Sequence, residues 1–189
     1  WQNAGDQIWM IGLPLEVNQY QDKRISLSAS SFLEYIHGLK TGRPPEIDLH
    51  LEKQVQFFLR EIIKKDVINS AHDLGDGGLA VAIAESCISS GYGANINLPP
   101  SRSRIERLLF AEGGARVLVS CSNEQSLELK NFYKNCFSRE SNIFSISYLG
   151  ISTNQKKLSV YQSNNLLIDL SLSDLKDRYK DSIYKKITK

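Results

Sequence analysis

From Ser70 to Glu85 the chain reads Ser-Ala-His-Asp-Leu-Gly-Asp-Gly-Gly-Leu-Ala-Val-Ala-Ile-Ala-Glu. No other stretch is better equipped for chemistry. A short strand, Val67-Ile68-Asn69-Ser70-Ala71, leads to His72 and Asp73, and Gly75, Gly77 and Gly78 fill three of the four positions of a turn. A strongly apolar helix follows from Leu79 to Ile88 and ends at Gly91. Glycine lets a backbone come close to a ligand and take positive φ. The helix start offers unpaired N–H groups and the positive end of a dipole, which suit phosphate. Asp73 and Asp76 suit a magnesium ion that travels with phosphates, and His72 could donate to an oxyanion. A tight strand-to-helix turn needs glycines in any case, so a purely structural role stays open beside the phosphate-binding one.

A second group is Phe110-Ala111-Glu112-Gly113-Gly114-Ala115-Arg116, a carboxylate and a guanidinium four residues apart around a glycine pair, just before a strand. Two roles are open here too. Arg116 could be held by Glu112 and presented to a phosphate, or the pair could be a salt bridge at a helix-to-strand corner. His37 lies in an apolar helical pattern and reads as a packing histidine, while His50 reads as an exposed helix residue. No Ser/His/Asp or Cys/His arrangement has supporting context, and zinc-type spacing, a GxxxxGKS loop and a GxGxxG fingerprint are absent.

The elements that must position these groups alternate between strand and helix. Asp6 to Leu13 is a short apolar strand closed by Gly12 and Pro14; residues 15–28 are polar and read as a loop that could move. Ser30 and Ser31 can cap a helix carrying Phe32, Leu33, Tyr35, Ile36 and Leu39, and Gly42-Arg43-Pro44-Pro45 then forces an extended turn. From Asp48 to about Lys65, Leu51, Val55, Phe58, Leu59, Ile62 and Ile63 recur at helical spacing, so one face is expected to be buried. Further on come a strand at 93–98, a helix at 103–110, a strand at 117–121, a helix at 124–136, strands near 143–151, 157–161 and 166–170, and a last helix at about 173–187. This order predicts a single α/β domain of the α+β type, a mixed sheet with helices on both faces and its core at about 4–170.

Composition sets outer bounds. The chain has 189 residues, 41% hydrophobic and 23% charged, enough for a core of useful size. Its net charge of +2 is spread along the sequence and predicts neither nucleic acid nor anionic membrane as a partner. The lysine-rich stretch from Lys176 to Lys189 reads as a solvated helix face or frayed terminus in preference to a polyanion site. Three cysteines with no CxxC spacing predict free thiols in a reducing cytoplasm, and no apolar run reaches membrane-spanning length. The abrupt opening at Trp1 is what a boundary inside a longer polypeptide would give.

Four segments occur together in order: Gly5-Asp6-x-Ile8; Tyr35-Ile36-His37-Gly38 with Gly42-Arg43-Pro44-Pro45; Ser70-Ala71-His72-Asp73-Leu74-x-Asp76-Gly77-Gly78-Leu79-Ala80; and Glu112-x-x-x-Arg116. Over roughly residues 4–170 this resembles the final domain of the phosphoribosylformylglycinamidine synthases, in their shorter form, within the aminoimidazole-ribonucleotide-synthetase-like ATP-binding superfamily. The resemblance implies an ATP-dependent carbon–nitrogen ligase of purine biosynthesis that converts formylglycinamide ribonucleotide to its amidine with glutamine-derived ammonia. It also implies ATP-binding domains upstream in the same chain, a separate glutaminase subunit and a small accessory subunit. The family's catalytic histidine lies in another domain, so none of His37, His50 and His72 inherits it, and this stretch alone should be inactive. What carries over is a nucleotide site for ATP or ADP and Mg2+: Asp73 as metal ligand, with His72, Gly75, Asp76, Gly77, Gly78 and Arg116 around the phosphates. Gly75 stands where a serine is common, and Glu112-Gly113-Gly114 departs from a serine-containing pattern. Two other readings remain: another synthetase of the superfamily, or a structural domain whose ligand site has decayed. An apolar patch through which the isolated chain self-associates is also expected.

Overall fold

A computed structural model describes residues 1–15, 23–137 and 144–179. Among the described residues, seven strands form one sheet in the order β2-β4-β1-β5-β3-β6-β7. In chain order these are β1 (Gln7–Gly12), β2 (Ser70–Asp73), β3 (Gly93–Leu98), β4 (Arg116–Cys121), β5 (Ser145–Thr153), β6 (Lys157–Gln162) and β7 (Asn165–Ser171). The helices are α1 (Ser31–His37), α2 (Leu49–Lys64), α3 (Gly78–Ser90), α4 (Ile105–Phe110), α5 (Asn123–Phe137) and α6 (Leu172–Tyr179). Strands β3 and β6 run parallel while the other neighbours are antiparallel, so the sheet is mixed as expected.

Strand β1 explains why the sheet is covered on both sides. Side chains alternate across a strand, and here both sets are apolar. Ile8 and Met10 enter one core with α3, α4 and α6, while Trp9 and Ile11 enter a second with α2 and α5. The second core centres on Phe58, whose ring lies 5.5 Å from both Phe132 and Phe144. Helix α3 fits closely against the sheet because Ala80, Ala82 and Cys87 are small and buried. Burial pushes the Cys87 thiol up to about 11 and the Cys121 thiol up to about 12; all three cysteines are free.

Some boundaries differ from expectation for identifiable reasons. Strand β2 starts at Ser70 rather than Val67, because Val67 closes α2: its N–H donates to the Ile62 carbonyl at 2.9 Å after Asp66 takes φ of +54°. On α2, Leu51, Val55, Phe58 and Ile62 are buried, but Ile63 is 49% exposed, so the apolar face is narrower than the spacing implied. His37 is exposed at the end of α1 with an edge contact to Phe32, and is not a packing histidine; His50 is exposed as expected. The supposed mobile loop is fastened over residues 23–28: Ile25 is buried and Ser26 pairs with Glu112. Its residues 16–22, and the end of the last helix beyond Tyr179, lie outside the described residues.

Candidate functional site

The antiparallel pairing of β2 with β4 brings the two chemical segments together. Asp73 lies opposite Val117, and the Leu74 N–H donates to the Arg116 carbonyl at 3.1 Å. The turn leaving β2 is thereby set against the corner that enters β4. Within it, Gly77 and Gly78 have φ of +79° and +65°. A Cβ on Gly77 would lie 2.4 Å from Val81 Cγ2, and one on Gly78 would lie 2.6 Å from the Ala111 carbonyl oxygen. Both positions demand glycine for packing and for backbone conformation. Gly75 is different: it is exposed, lies outside the positive-φ set, and its Cβ would meet only Asp73 Oδ2 at 3.7 Å.

Glu112 joins this turn to α1. Its Oε1 accepts from the Gly77 N–H at 2.8 Å and from the Ser31 N–H at 2.9 Å. One carboxylate therefore serves the starts of two helices, a favourable place for negative charge. It does not hold Arg116 in the ion pair that sequence spacing offered. Arg116 is buried, and its Nη2 donates to the Ala111 carbonyl at 2.6 Å while Nε has no hydrogen-bond partner. Burial draws its pKa down to about 10, helped by the charge of Arg107 and opposed by Glu112. The guanidinium remains charged at neutral pH. It is buried, bonded to the same Ala111 carbonyl that lies against Gly78, and is not presented on the outer surface.

His72 is also placed differently from the oxyanion donor that sequence allowed. Its Nε2 lies 3.2 Å from Glu85 Oε2 and its Nδ1 lies 3.5 Å from Asp73 Oδ1. Glu85 is thirteen residues away across the turn, and no local pattern marks it as a partner. Asp73 is 86% exposed, and Asp76 is exposed beside it. Among the described residues no three His, Cys, Asp or Glu side chains are grouped to hold a metal. Magnesium carried by a polyphosphate needs only one or two carboxylates, with phosphate oxygens and water completing its shell. Asp73 fits that arrangement. The structure thus gathers Asp73, Gly75 and Asp76 on the outside of the turn and Gly77 and Gly78 at its base, with Arg116 buried.

The model of the family described as AIR synthase related protein, C-terminal domain, matches residues 3–140, and the chain belongs to that family. Phosphoribosylformylglycinamidine synthase subunit PurL of Prochlorococcus marinus (strain NATL1A) is 76% identical over 189 residues, which are all of this chain and 24% of that protein. PurL of Nostoc punctiforme is 40% identical over 191 aligned residues, 99% of this chain and 23% of its own. The chain spans about a quarter of the length of these curated relatives. Among solved structures, T. maritima PurL complexed with FGAR gives a TM-score of 0.72 at 19% identity, covering 92% of this chain and 28% of that one. E. coli HypE, a hydrogenase maturation protein, gives 0.54 at 14% identity, over 90% of this chain and 49% of its own. At such identities the two structures speak for the fold.

Proposed function

We propose that this chain is the C-terminal domain of a phosphoribosylformylglycinamidine synthase, a cytoplasmic ligase of purine biosynthesis, and that it does not catalyse by itself. The observation that carries this reading is the 76% identity to a PurL subunit along the whole chain. In the complete enzyme the amide oxygen of formylglycinamide ribonucleotide attacks the γ-phosphate of ATP, and ADP leaves. Ammonia then adds at the activated carbon and phosphate departs, leaving the amidine. The histidine that serves this chemistry lies in an upstream ATP-binding domain. A glutaminase subunit supplies the ammonia, and a small accessory subunit completes the assembly; T. maritima PurL has been solved within PurLQS.

In this reading the 72–78 turn is an auxiliary nucleotide site. T. maritima PurL has been solved with ATP, ADP and AMPPCP, which supports nucleotide binding in the family. Asp73 would hold magnesium, whose role there is to neutralise the polyphosphate. Gly75 leaves room for the phosphates to approach the backbone, Asp76 supports the hydrated cation, and the α3 start and Arg116 supply positive potential. One observation favours a second reading, in which the site has decayed. The Gly77 N–H is already taken by Glu112, and Gly77 and Gly78 are both required by packing.

The test of the overall assignment is amidine formation from formylglycinamide ribonucleotide, ATP and ammonia. The full-length protein should turn over and residues 1–189 alone should not. Turnover by this piece at the full-length rate, or none by the full-length enzyme, would contradict the proposal.

A further inference from the structure

Helix α1 buries none of its residues. Seven residues are too few for a helix to persist by backbone hydrogen bonding alone, so its order has other sources. Ser30 caps it, its first amide donates to Glu112, and Phe32 stacks on Phe110 at 5.1 Å. Beyond it, the Ala29 N–H donates to the Thr41 carbonyl and the Glu46 N–H to the Lys23 carbonyl, each at 2.9 Å. Pro44 and Pro45 stiffen the stretch between. The result is an arm, residues 31–49, tied down along one side.

Five of its large apolar side chains are uncovered. Tyr35 is 83% exposed, Ile36 65%, Leu39 50%, Ile47 74% and Leu49 77%. Lys40 pairs with Glu34 at 2.7 Å, Lys23 with Glu46 at 3.5 Å and Arg24 with Asp48 at 3.0 Å, which among the described residues leaves Arg43 as the one unpaired lysine or arginine of the arm. Such an arm offers little to a polyanion and much to an apolar protein surface. Scattered exposed leucines are ordinary, but five large apolar side chains on one fastened segment mark an interaction site. The sheet face over β3, β6 and β7 differs, being interrupted by Asn95, Ser159 and Asp169.

We infer that this arm is the surface through which the domain seats on the remaining three quarters of its own synthase chain. The inference rests on the reading that the chain is one piece of a PurL-type protein, whose relatives are about four times as long. The link through Glu112 gives the seating a consequence. The carboxylate that receives the first amide of α1 also receives the Gly77 N–H. Fixing the arm against the rest of the enzyme therefore fixes the glycine turn relative to it. A second copy of the domain on the arm is the competing outcome.

Hydroxyl-radical footprinting of the full-length synthase decides between these. Tyr35 should be modified on the order of tenfold more slowly than in the unfolded chain, equally at low and high protein concentration. Ile36→Asp should raise Tyr35 modification several-fold without changing the helix content. Modification of Tyr35 at the rate of a freely exposed tyrosine would overturn the inference, and so would protection that disappears on dilution, which would mean a second copy. Since footprinting reads no catalysis, a protected Tyr35 in an enzyme that forms no amidine would count against the proposed activity alone.

Discussion

The glycine turn at 72–78 and the arm at 31–49 meet at Glu112, yet they present opposite chemistries to solvent. The turn has a rigid base, with Gly77 and Gly78 locked under Val81 and Ala111, and an outer rim of carboxylates and bare backbone at Asp73, Gly75 and Asp76. The arm has a fastened side of hydrogen bonds and ion pairs and an outer side of Tyr35, Ile36, Ile47 and Leu49. Exposure alone does not distinguish a ligand site from an interface. What distinguishes them is the chemistry of the exposed groups: carboxylates can take a hydrated cation and its phosphates, whereas apolar side chains gain only by leaving water.

The largest effect should come from the base of the turn. Gly78→Val forces a β-branched residue to φ of +65° with its Cβ on the Ala111 carbonyl. It should cost about 3–5 kcal/mol in thermal unfolding. Glu112→Ala should follow at roughly 2–4 kcal/mol, because it strands two helix-start amides. It should also speed hydrogen exchange at both Ser31 and Gly77, whereas independent regions would show the effect at one amide only. Glu112→Gln keeps an acceptor and should lose less.

The arm also has a pH signature. Asp48 is held below the usual carboxylate range, chiefly by the Leu51 N–H and further by Arg24. A depressed carboxylate stabilises the fold above its unfolded pKa, and that contribution is lost as pH falls through its folded value. As pH drops below the ordinary aspartate pKa of about 4, the melting temperature should therefore fall less in Asp48→Asn, which still caps α2. The smallest effect belongs to the rim. Gly75→Ala should be neutral or stabilising by up to about 1 kcal/mol, since nothing there requires positive φ; a loss like that of Gly78 would mean that rim and base are not separate.

Much of this was legible in the sequence because it is local. The continuous apolar run of β1, the Ser30 cap and the glycine ending α3 leave direct marks, and the alternation of strand and helix placed the sheet with helices on both faces. The segments 70–85 and 110–116 stood out through their resemblance to a family, and the pairing of β2 with β4 sets them side by side. What could not be read was set by pairing across the fold. The register of β2 on β4 turned Arg116 inward, Glu85 captured His72 from thirteen residues away, and Glu112 chose two backbone amides over the arginine four residues on. The arm misled for a related reason. Tyr35, Ile36 and Leu39 form an apolar helical pattern that normally signals burial, and here it faces outward.

The proposed auxiliary site is tested most directly by counting nucleotides. Calorimetric titration of the full-length synthase with ADP should show one binding event in the presence of magnesium that Asp73→Asn abolishes. Without magnesium the two proteins should bind alike, and their melting temperatures should agree, since Asp73 is a surface residue. Equal stoichiometry with magnesium for the wild type and Asp73→Asn would contradict the account and leave the glycines of the turn a structural role alone.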